Sequence, residues 1–299
     1  QARRLGEADA LAAHPRWLVE RWAAAYGDAI AAAICRYDQL PPPTTIRLDS
    51  STEGTNGLQL EPGVYVTNAR RLIAGDLTRP FRVQDEGSQL IAELAGQGNE
   101  ILDCCAAPGG KTAILRERNP QASITACDVS APRLKAMEAM LGPQSGIRFC
   151  VLDATELPFQ QQFDLVLCDV PCSGTGTLAR NPEIRHRVTM EDFRKQRTRQ
   201  ILLLRSAMRS LRTRGRLIYS TCSLEAEENE GVVAEALEQE HGFRLLPWKE
   251  QMRKLEGEGV LHANTAELLF PGAARDDFLR TFPGQYPGDG FFAACLMRA

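Results

Sequence analysis

Asp103-Cys104-Cys105-Ala106-Ala107-Pro108-Gly109-Gly110-Lys111-Thr112 follows a short apolar run, Ile101–Asp103, and opens a stretch with helical spacing. Small residues in succession let a backbone approach a ligand closely and present N–H groups at a helix N-terminus. An ordinary strand-to-helix turn has no need of so many. Two nucleotide motifs can be tested against it. Gly110-Lys111-Thr112 has the end of a phosphate-binding loop, but the spacing G-x-x-x-x-G-K requires glycine where Cys105 stands, and that reading fails. The G-x-G-x-x-G dinucleotide fingerprint is absent as well.

Working outward, strands and helices alternate from residue 81 onward, which predicts a doubly wound α/β sheet covered on both faces. The expected strands are Ile101–Asp103, Ser123–Asp128, Ile147–Asp153, Phe163–Asp169 and Arg216–Thr221. Ser130 is expected to cap a helix through Leu134, Met137 and Leu141. A second helix spans about Asp192 to Leu211, and an acidic-started one follows Glu225 to about Glu240. Phe243–Leu246 and Gly290–Met297 read as a late hairpin. Before residue 81 the pattern is different. Leu18, Trp22 and Tyr26 recur every four residues after Pro15, Gly27-Asp28 reads as a stop followed by a cap, and a second helix runs through Ile30 and Ile34 to Tyr37. Pro41-Pro42-Pro43 ends the helices, Thr44 to Leu48 is β-like, and the stretch to Val66 has no clear pattern. The expected division is residues 1–80, a small helical and α+β region, and residues 81–299, the α/β domain.

With 299 residues, 43% apolar and 24% charged, the chain is an ordinary globular one, and no run reaches the roughly 18 apolar residues of a membrane span. Position 1 is glutamine and no apolar leader follows, so the sequence is expected to start inside a longer chain. Nine scattered cysteines without a C-x-x-C pair read as reduced thiols of a cytoplasmic protein, with no metal site. The net charge of −3 conceals a segregation: Arg180 to Arg216 carries twelve Lys or Arg against three acids, net +9, leaving −12 elsewhere. A solvated helix face would account for such a run. On an acidic chain it also suits a face that docks nucleic acid.

Asp103, Asp128, Asp153 and Asp169 stand at the carboxyl ends of successive expected strands, where open α/β sheets bind ligands. Asp128 lies 18 residues beyond Gly110, about where a carboxylate accepts from ribose hydroxyls. Together they favour a nucleoside cofactor that needs no phosphate cradle, and S-adenosylmethionine fits. Two thiols face the same edge, Cys172 in Pro171-Cys172-Ser173 and Cys222 in Thr221-Cys222-Ser223. Cys35, Cys127, Cys150, Cys168 and Cys295 read as small buried hydrophobes. Carbon 5 of cytosine becomes nucleophilic once a thiolate adds to carbon 6, so paired thiols beside a methyl donor suggest cytosine methylation. Asp169, three residues from Cys172, is placed to meet the charge on the ring.

Several stretches carry a family resemblance: Val83-Gln84-Asp85-Glu86-Gly87-Ser88-Gln89, the Cys105–Thr112 loop, Asp169–Asn181 with Pro182-Glu183-Ile184, Tyr219–Ser223 with Glu225 to Glu230, and Asp289-Gly290-Phe291-Phe292. They span roughly residues 80 to 298, and the chain resembles the RsmB/Sun-type RNA (cytosine-5) methyltransferases, closest to bacterial rRNA members but without their N-terminal NusB-like domain. The resemblance implies a class I, Rossmann-like methyltransferase that uses S-adenosylmethionine. It implies that Cys222 is the nucleophile, that Cys172 assists release of methylated RNA, and that Asp169 contacts cofactor and base. Cys105, Ala106, Ala107, Pro108, Gly109, Gly110 and Lys111, with Asp128 and Asp153, correspond to the cofactor site, Lys111 lying near the catalytic centre. Arg133 is a further candidate. The partner implied is RNA, specifically rRNA, with neither a membrane nor an obligate protein partner. Two alternatives stand beside this: a DNA cytosine-5 methyltransferase using Cys172, against which Thr221-Cys222 speaks, and a cofactor-binding RNA assembly factor without turnover, against which the intact Cys172, Cys222, Asp169 and Lys111 speak.

Overall fold

The computed structural model describes residues 7–48, 55–77, 81–142, 145–270 and 277–299. Gln1–Arg4 and part of the unpatterned stretch before Val66 lie outside them. Helices α1 (Glu7–Ala12), α2 (Arg16–Tyr26) and α3 (Asp28–Tyr37) come first. Pro15, at φ −56°, precedes α2. Gly27, at φ +88°, both ends α2 and precedes α3, and only glycine adopts that conformation without strain. Asp28 therefore sits in the first turn of α3 and makes no side-chain cap, contrary to expectation. Leu18, Trp22 and Ile34 pack against Leu178, Phe193 and Leu224 of the larger unit.

A small antiparallel sheet follows, built from β1 (Thr45–Arg47), β2 (Gln59–Pro62), β3 (Ala69–Ala74) and β4 (Arg82–Val83) in the order β2-β3-β1-β4. The expected boundary near residue 80 falls outside the described residues, and β4, just past it, belongs to this small sheet. Arg47 fastens the sheet to α4 (Glu86–Ala95) and α5 (Gly110–Arg118), donating to Glu93 at 2.6 Å and Glu117 at 2.9 Å. Burial works against the guanidinium charge, but Glu117 and Glu93 outweigh it and hold the Arg47 pKa above its usual value.

The main sheet comprises β5 (Glu100–Asp103), β6 (Ser123–Asp128), β7 (Ile147–Val151), β8 (Phe163–Asp169), β9 (Leu211–Thr221), β10 (Phe243–Leu246), β11 (Phe278–Thr281) and β12 (Phe291–Arg298). Its order is β10-β12-β9-β8-β5-β6-β7, with β11 also paired to β12. Strands β5 to β9 are mutually parallel and β12 is antiparallel to β9. The intervening helices are α6 (Ala131–Leu141), α7 (Ile184–Arg187), α8 (Met190–Ser210), α9 (Glu230–Gln239), α10 (Trp248–Gly257) and α11 (Thr265–Leu269). On one face Leu90, Ile91, Trp248 and Met252 pack on Ile101, Ile218 and Ala293. On the other, Leu203, Leu204, Val232 and Val233 pack on Val166, Tyr219 and Phe292. This is the expected doubly wound sheet, and strand order reverses at β5, whose neighbours are β8 and β6. Such reversals open a crevice at the carboxyl ends of the strands.

The local departures from the sequence reading have physical causes. Strand β7 stops at Val151, because Asp153 turns the chain by accepting from the Thr155 N–H at 3.0 Å. Ser130 caps nothing with its hydroxyl; its N–H donates instead to Asp128 at 2.9 Å. The late strands are not a two-stranded hairpin, since β12 pairs with β10 along its second half and with β11 along its first. Beyond Cys222 a single 3-10 turn, Ala226–Glu228, intervenes, and α9 begins only at Glu230. No α-helix therefore starts at the thiol.

Candidate active site

The loop after β5 turns on Gly109, at φ +105°, where a Cβ would meet Met137 at 2.7 Å. Ala106 and Ala107 are buried, Pro108 is exposed, and Cys105 is half-buried. Asp128, at the end of β6, supports the loop: one oxygen accepts from Ala107 N–H at 3.2 Å and the other from Ser130 N–H. Arg133 donates to the Ala107 carbonyl at 2.6 Å and lies 3.8 Å from Asp128. Asp103 is buried beneath the loop and accepts from the Thr112 hydroxyl at 2.7 Å. Burial, reinforced by the charge of Asp169, pushes its carboxyl up to about 7.

Two clefts meet at Cys105. The larger, about 410 Å³, runs from Phe81–Gln84 across Ala106–Lys111 to Asp169. The smaller, about 180 Å³, is lined by Asp128, Asp153, Arg133, Leu152, Pro171 and Arg199. Gln84 Oε1, on the wall of the larger cleft, is buried without a hydrogen-bond partner among the described residues. Small backbone-rich walls, a carboxylate at the end of β6, a second on the turn after β7 and an unsatisfied amide oxygen suit an adenosyl amino acid. These residues fit S-adenosylmethionine by size and polarity.

At the carboxyl ends of β8 and β9 the structure brings the remaining residues together. Cys172 Sγ and Cys222 Sγ are 3.3 Å apart. Lys111 Nζ lies 2.7 Å from Asp169 and 5.5 Å from the centre of the Phe291 ring. Asp169 also accepts from the Ser220 hydroxyl at 2.7 Å. Burial opposes the ammonium charge of Lys111, yet Asp169 prevails and raises its pKa. The Cys172 thiol is pushed well up, first by its hydrogen bond with Cys222 and then by burial.

Several contributors are invisible in the sequence reading. Gly176 passes between two backbones, its N–H donating to Cys222 O at 2.9 Å while its carbonyl accepts from Gly290 N–H at 2.7 Å. Arg180 joins Asp85 and Asp289 at 3.0 and 2.9 Å, tying the Cys172 segment to the cleft wall and to the start of β12. Glu228 holds the serines beside both cysteines. Helix α2 also grips the loop that follows Cys222: Trp22 donates to Glu225 at 3.0 Å, Arg21 to Glu225 and Glu227, and Tyr26 to the Leu224 carbonyl. The stretches Val83–Gln89, Asp169–Asn181, Glu225–Glu230 and Asp289–Phe292 and the Leu18, Trp22, Tyr26 repeat held these residues without showing their roles.

The basic band does not form one face. Arg180 and Arg185 are engaged inside the protein, the latter by the carbonyls of Ala13 and Asp38. Arg205 and Arg209 share Glu240, Arg197 pairs with Glu235, and Arg194 lies 3.7 Å from Glu191. Arg212 and Arg214 lie at the entry end of β9, away from the crevice. Arg199 lines the smaller cleft. Arg187 and Lys195 are exposed and carry no ion pair among the described residues.

A family model described as 16S rRNA methyltransferase RsmB/F matches residues 92–297, and one described as an RsmF/B-like ferredoxin-like domain matches residues 14–58. The chain is 30% identical to the probable ribosomal RNA small subunit methyltransferase B of Bacillus subtilis, covering 95% of this chain and 66% of that protein. It is 32% identical to ribosomal RNA small subunit methyltransferase B of Xanthomonas campestris over 82% of this chain and 52% of that one. It thus spans between half and two thirds of these relatives. A methyltransferase homolog protein from Pyrococcus horikoshii has the same fold, with a TM-score of 0.74 at 24% identity, covering 98% of this chain and 99% of that one.

Proposed function

Because the chain belongs to the 16S rRNA methyltransferase RsmB/F family, we propose that it methylates carbon 5 of a cytosine in ribosomal RNA, using S-adenosylmethionine and a covalent cysteine–cytosine intermediate. The observation that carries this reading is the juxtaposition of Cys172 and Cys222, 3.3 Å apart, beside the Lys111–Asp169 pair. A single nucleophile would need only one of these thiols.

Asp128 and Asp153 would hold the adenosine part of the cofactor in the smaller cleft, and the backbone of Ala106–Gly110 its amino-acid end. When bound, S-adenosylmethionine supplies an electrophilic methyl group. The chain's own residues do the rest. Addition of the Cys222 thiolate to carbon 6 makes carbon 5 nucleophilic. Asp169, oriented by Lys111 and Ser220, faces the ring nitrogen, and the Lys111–Asp169 pair delivers the proton that offsets the negative charge developing on the ring. Once carbon 5 carries the methyl group, its proton passes to a base in the site and the sulfur–carbon 6 bond breaks, freeing the product and returning the Cys222 thiolate, and Cys172 assists that step. The target base leaves its stack to reach the thiols. Residues 1–80 contribute RNA contacts, and the site of action is cytoplasmic; among the described residues no helix is long and apolar enough to cross a membrane.

The test separates the cysteines. Cys222→Ala abolishes both 5-methylcytosine formation and the protein–RNA adduct, whereas Cys172→Ala accumulates a denaturation-resistant adduct. Adduct retained in Cys222→Ala and lost in Cys172→Ala reverses the roles and favours chemistry of the DNA-enzyme type. Mapping 5-methylcytosine in RNA from cells with and without the protein identifies the substrate.

A further inference from the structure

Each of the two cysteines is followed by serine, and one fully buried carboxylate holds both serines. Glu228 Oε1 accepts from Ser173 N–H at 2.8 Å and from the Gln200 amide at 3.1 Å. Its Oε2 accepts from the Ser223 hydroxyl at 2.5 Å and from the Ser173 hydroxyl. The Gln200 amide in turn donates to the carbonyl of Pro171, the residue before Cys172, at 2.9 Å. A peptide N–H and an amide NH2 can only donate, and with the two serine hydroxyls they favour the ionised carboxylate against the burial that raises its pKa overall. A cation also stands near the thiol pair: Lys111, bound to Asp169, interacts electrostatically with Cys222.

Resting on the function proposed above, the geometry points to Glu228 as a positioning residue that makes the two cysteines unequal: it fixes both cysteine loops through their serines and sets its negative charge on the Cys172 side, so that the thiolate forms at Cys222. The electrostatics agree. After the hydrogen bond with Cys222, burial and the Cys222 charge, Glu228 is a further group that drives the Cys172 thiol upward. The other ionisable groups around the pair are Tyr219 on β9, Asp169 on β8, Asp103 on β5, Lys111 on α5, and Glu225 and Glu227 on the turn that carries Glu228. Tyr219 is pushed well up by burial and stays neutral. Glu225 and Glu227 are engaged by Arg21, and Asp169 by Lys111. The charge of Glu228, matched by neutral donors, has no such counter-ion among the described residues.

The experiment measures initial rates of iodoacetamide labelling of the free protein across a pH series, resolved by site with mass spectrometry. In the unaltered protein Cys222 is labelled with a lower pH midpoint than Cys172. Glu228→Gln keeps the shape and removes the charge, and the Cys172 midpoint falls by about one pH unit or more, as expected for loss of a neighbouring like charge. Glu228→Asp retains the charge and preserves the original order. A purely structural role predicts both midpoints unmoved in a folded Glu228→Gln protein, and that result overturns the proposal. So does labelling of Cys172 ahead of Cys222 in the unaltered protein, a readout that needs no variant to fold. None of these measurements uses RNA or methyl transfer. Absence of a 5-methylcytosine product would therefore refute the proposed function while leaving the order of titration to be judged separately.

Discussion

Gly176→Ala is the most demanding single test of how the site is assembled. A Cβ at this position would lie 2.3 Å from Gly290 O and 2.8 Å from Cys222 O, both backbone atoms that no rotamer change can move. An ordinary carbon–oxygen contact is more than 3 Å, so the Cys172 segment must separate from the Cys222 loop, from the start of β12, or from both. Overpacking of this kind costs about 1–3 kcal/mol, and straining the two hydrogen bonds through Gly176 adds about 0.5–1.5 kcal/mol each. The expected total of roughly 2–6 kcal/mol corresponds to a fall in Tm of roughly 3–10 °C in a chain of this size. Misplacement by about 1 Å also lowers turnover on the order of 100-fold. The clefts around Asp128 are untouched, so cofactor affinity holds. Calorimetry and adduct formation read these outcomes side by side. Gly257→Ala serves as the control: it ends α10, has nothing within 4 Å of its would-be Cβ, and is expected to be neutral or stabilising by up to about 1 kcal/mol. A Gly176→Ala protein with unaltered Tm and turnover refutes the reasoning.

Asp128→Ala removes charged acceptors and the support of the Ala107 and Ser130 amides, and weakens S-adenosylmethionine binding by about 1.5–3 kcal/mol; unchanged affinity in titration calorimetry counts against the assignment. Asp103 has a folded pKa raised from 3.8 to about 7, so its contribution to stability is full below about pH 4 and is lost as pH rises toward 7. Asp103→Asn removes that slope, worth on the order of 4 kcal/mol at about 1.36 kcal/mol per unit. Asp289, also pushed up to about 7 by burial and by the charge of Asp85, keeps a slope of the same sign in the variant. Identical pH profiles of denaturation midpoint for the two proteins would sink this assignment. Replacing Arg187 and Lys195 with Ala lowers the salt slope of RNA binding by about 0.7–0.9 for each lost phosphate contact, while Arg205→Ala, already neutralised by Glu240, leaves it alone; equal slopes would place RNA elsewhere.

Strands β6 and β8 were legible to the residue because Ser123–Asp128 and Phe163–Asp169 are apolar runs buried on both faces and closed by an aspartate. Strand β9 was legible only from Arg216. After Leu211, which pairs with Phe163, Arg212-Thr213-Arg214 bulge out of register into solvent, where a strand has no hydrophobic pattern to show. Strand β11 escaped notice because four residues, Phe278–Thr281, give too short a period and pair only with β12. At the site, Asp128, Asp169, Cys172 and Cys222 were readable from their places after strands. Glu228 was not, since a run rich in Glu from 225 to 230 reads as a solvated helix start, and only the folded chain shows that a one-turn 3-10 segment draws Glu225 and Glu228 inward. The charge band misled for a related reason: sequence counts charges, whereas folding pairs Arg197, Arg205 and Arg209 with acids of α9 and the residue that follows it.

The grip of α2 on Leu224–Glu227 spans some two hundred residues of chain, and it has a consequence for biogenesis. As the polypeptide is made, Trp22 and Arg21 emerge long before Glu225, so although Ile34, Leu178 and Phe193 cover part of the apolar face of α2 earlier, the polar grip of Trp22 and Arg21 waits until the second cysteine's loop is complete. Contacts this distant in sequence form late, because chain-closure entropy must be overcome before they stabilise anything. Reactive chemistry is thereby deferred: the thiol at Cys222 reaches its working geometry only when the opening helices have come home, and a half-made chain is an inert one.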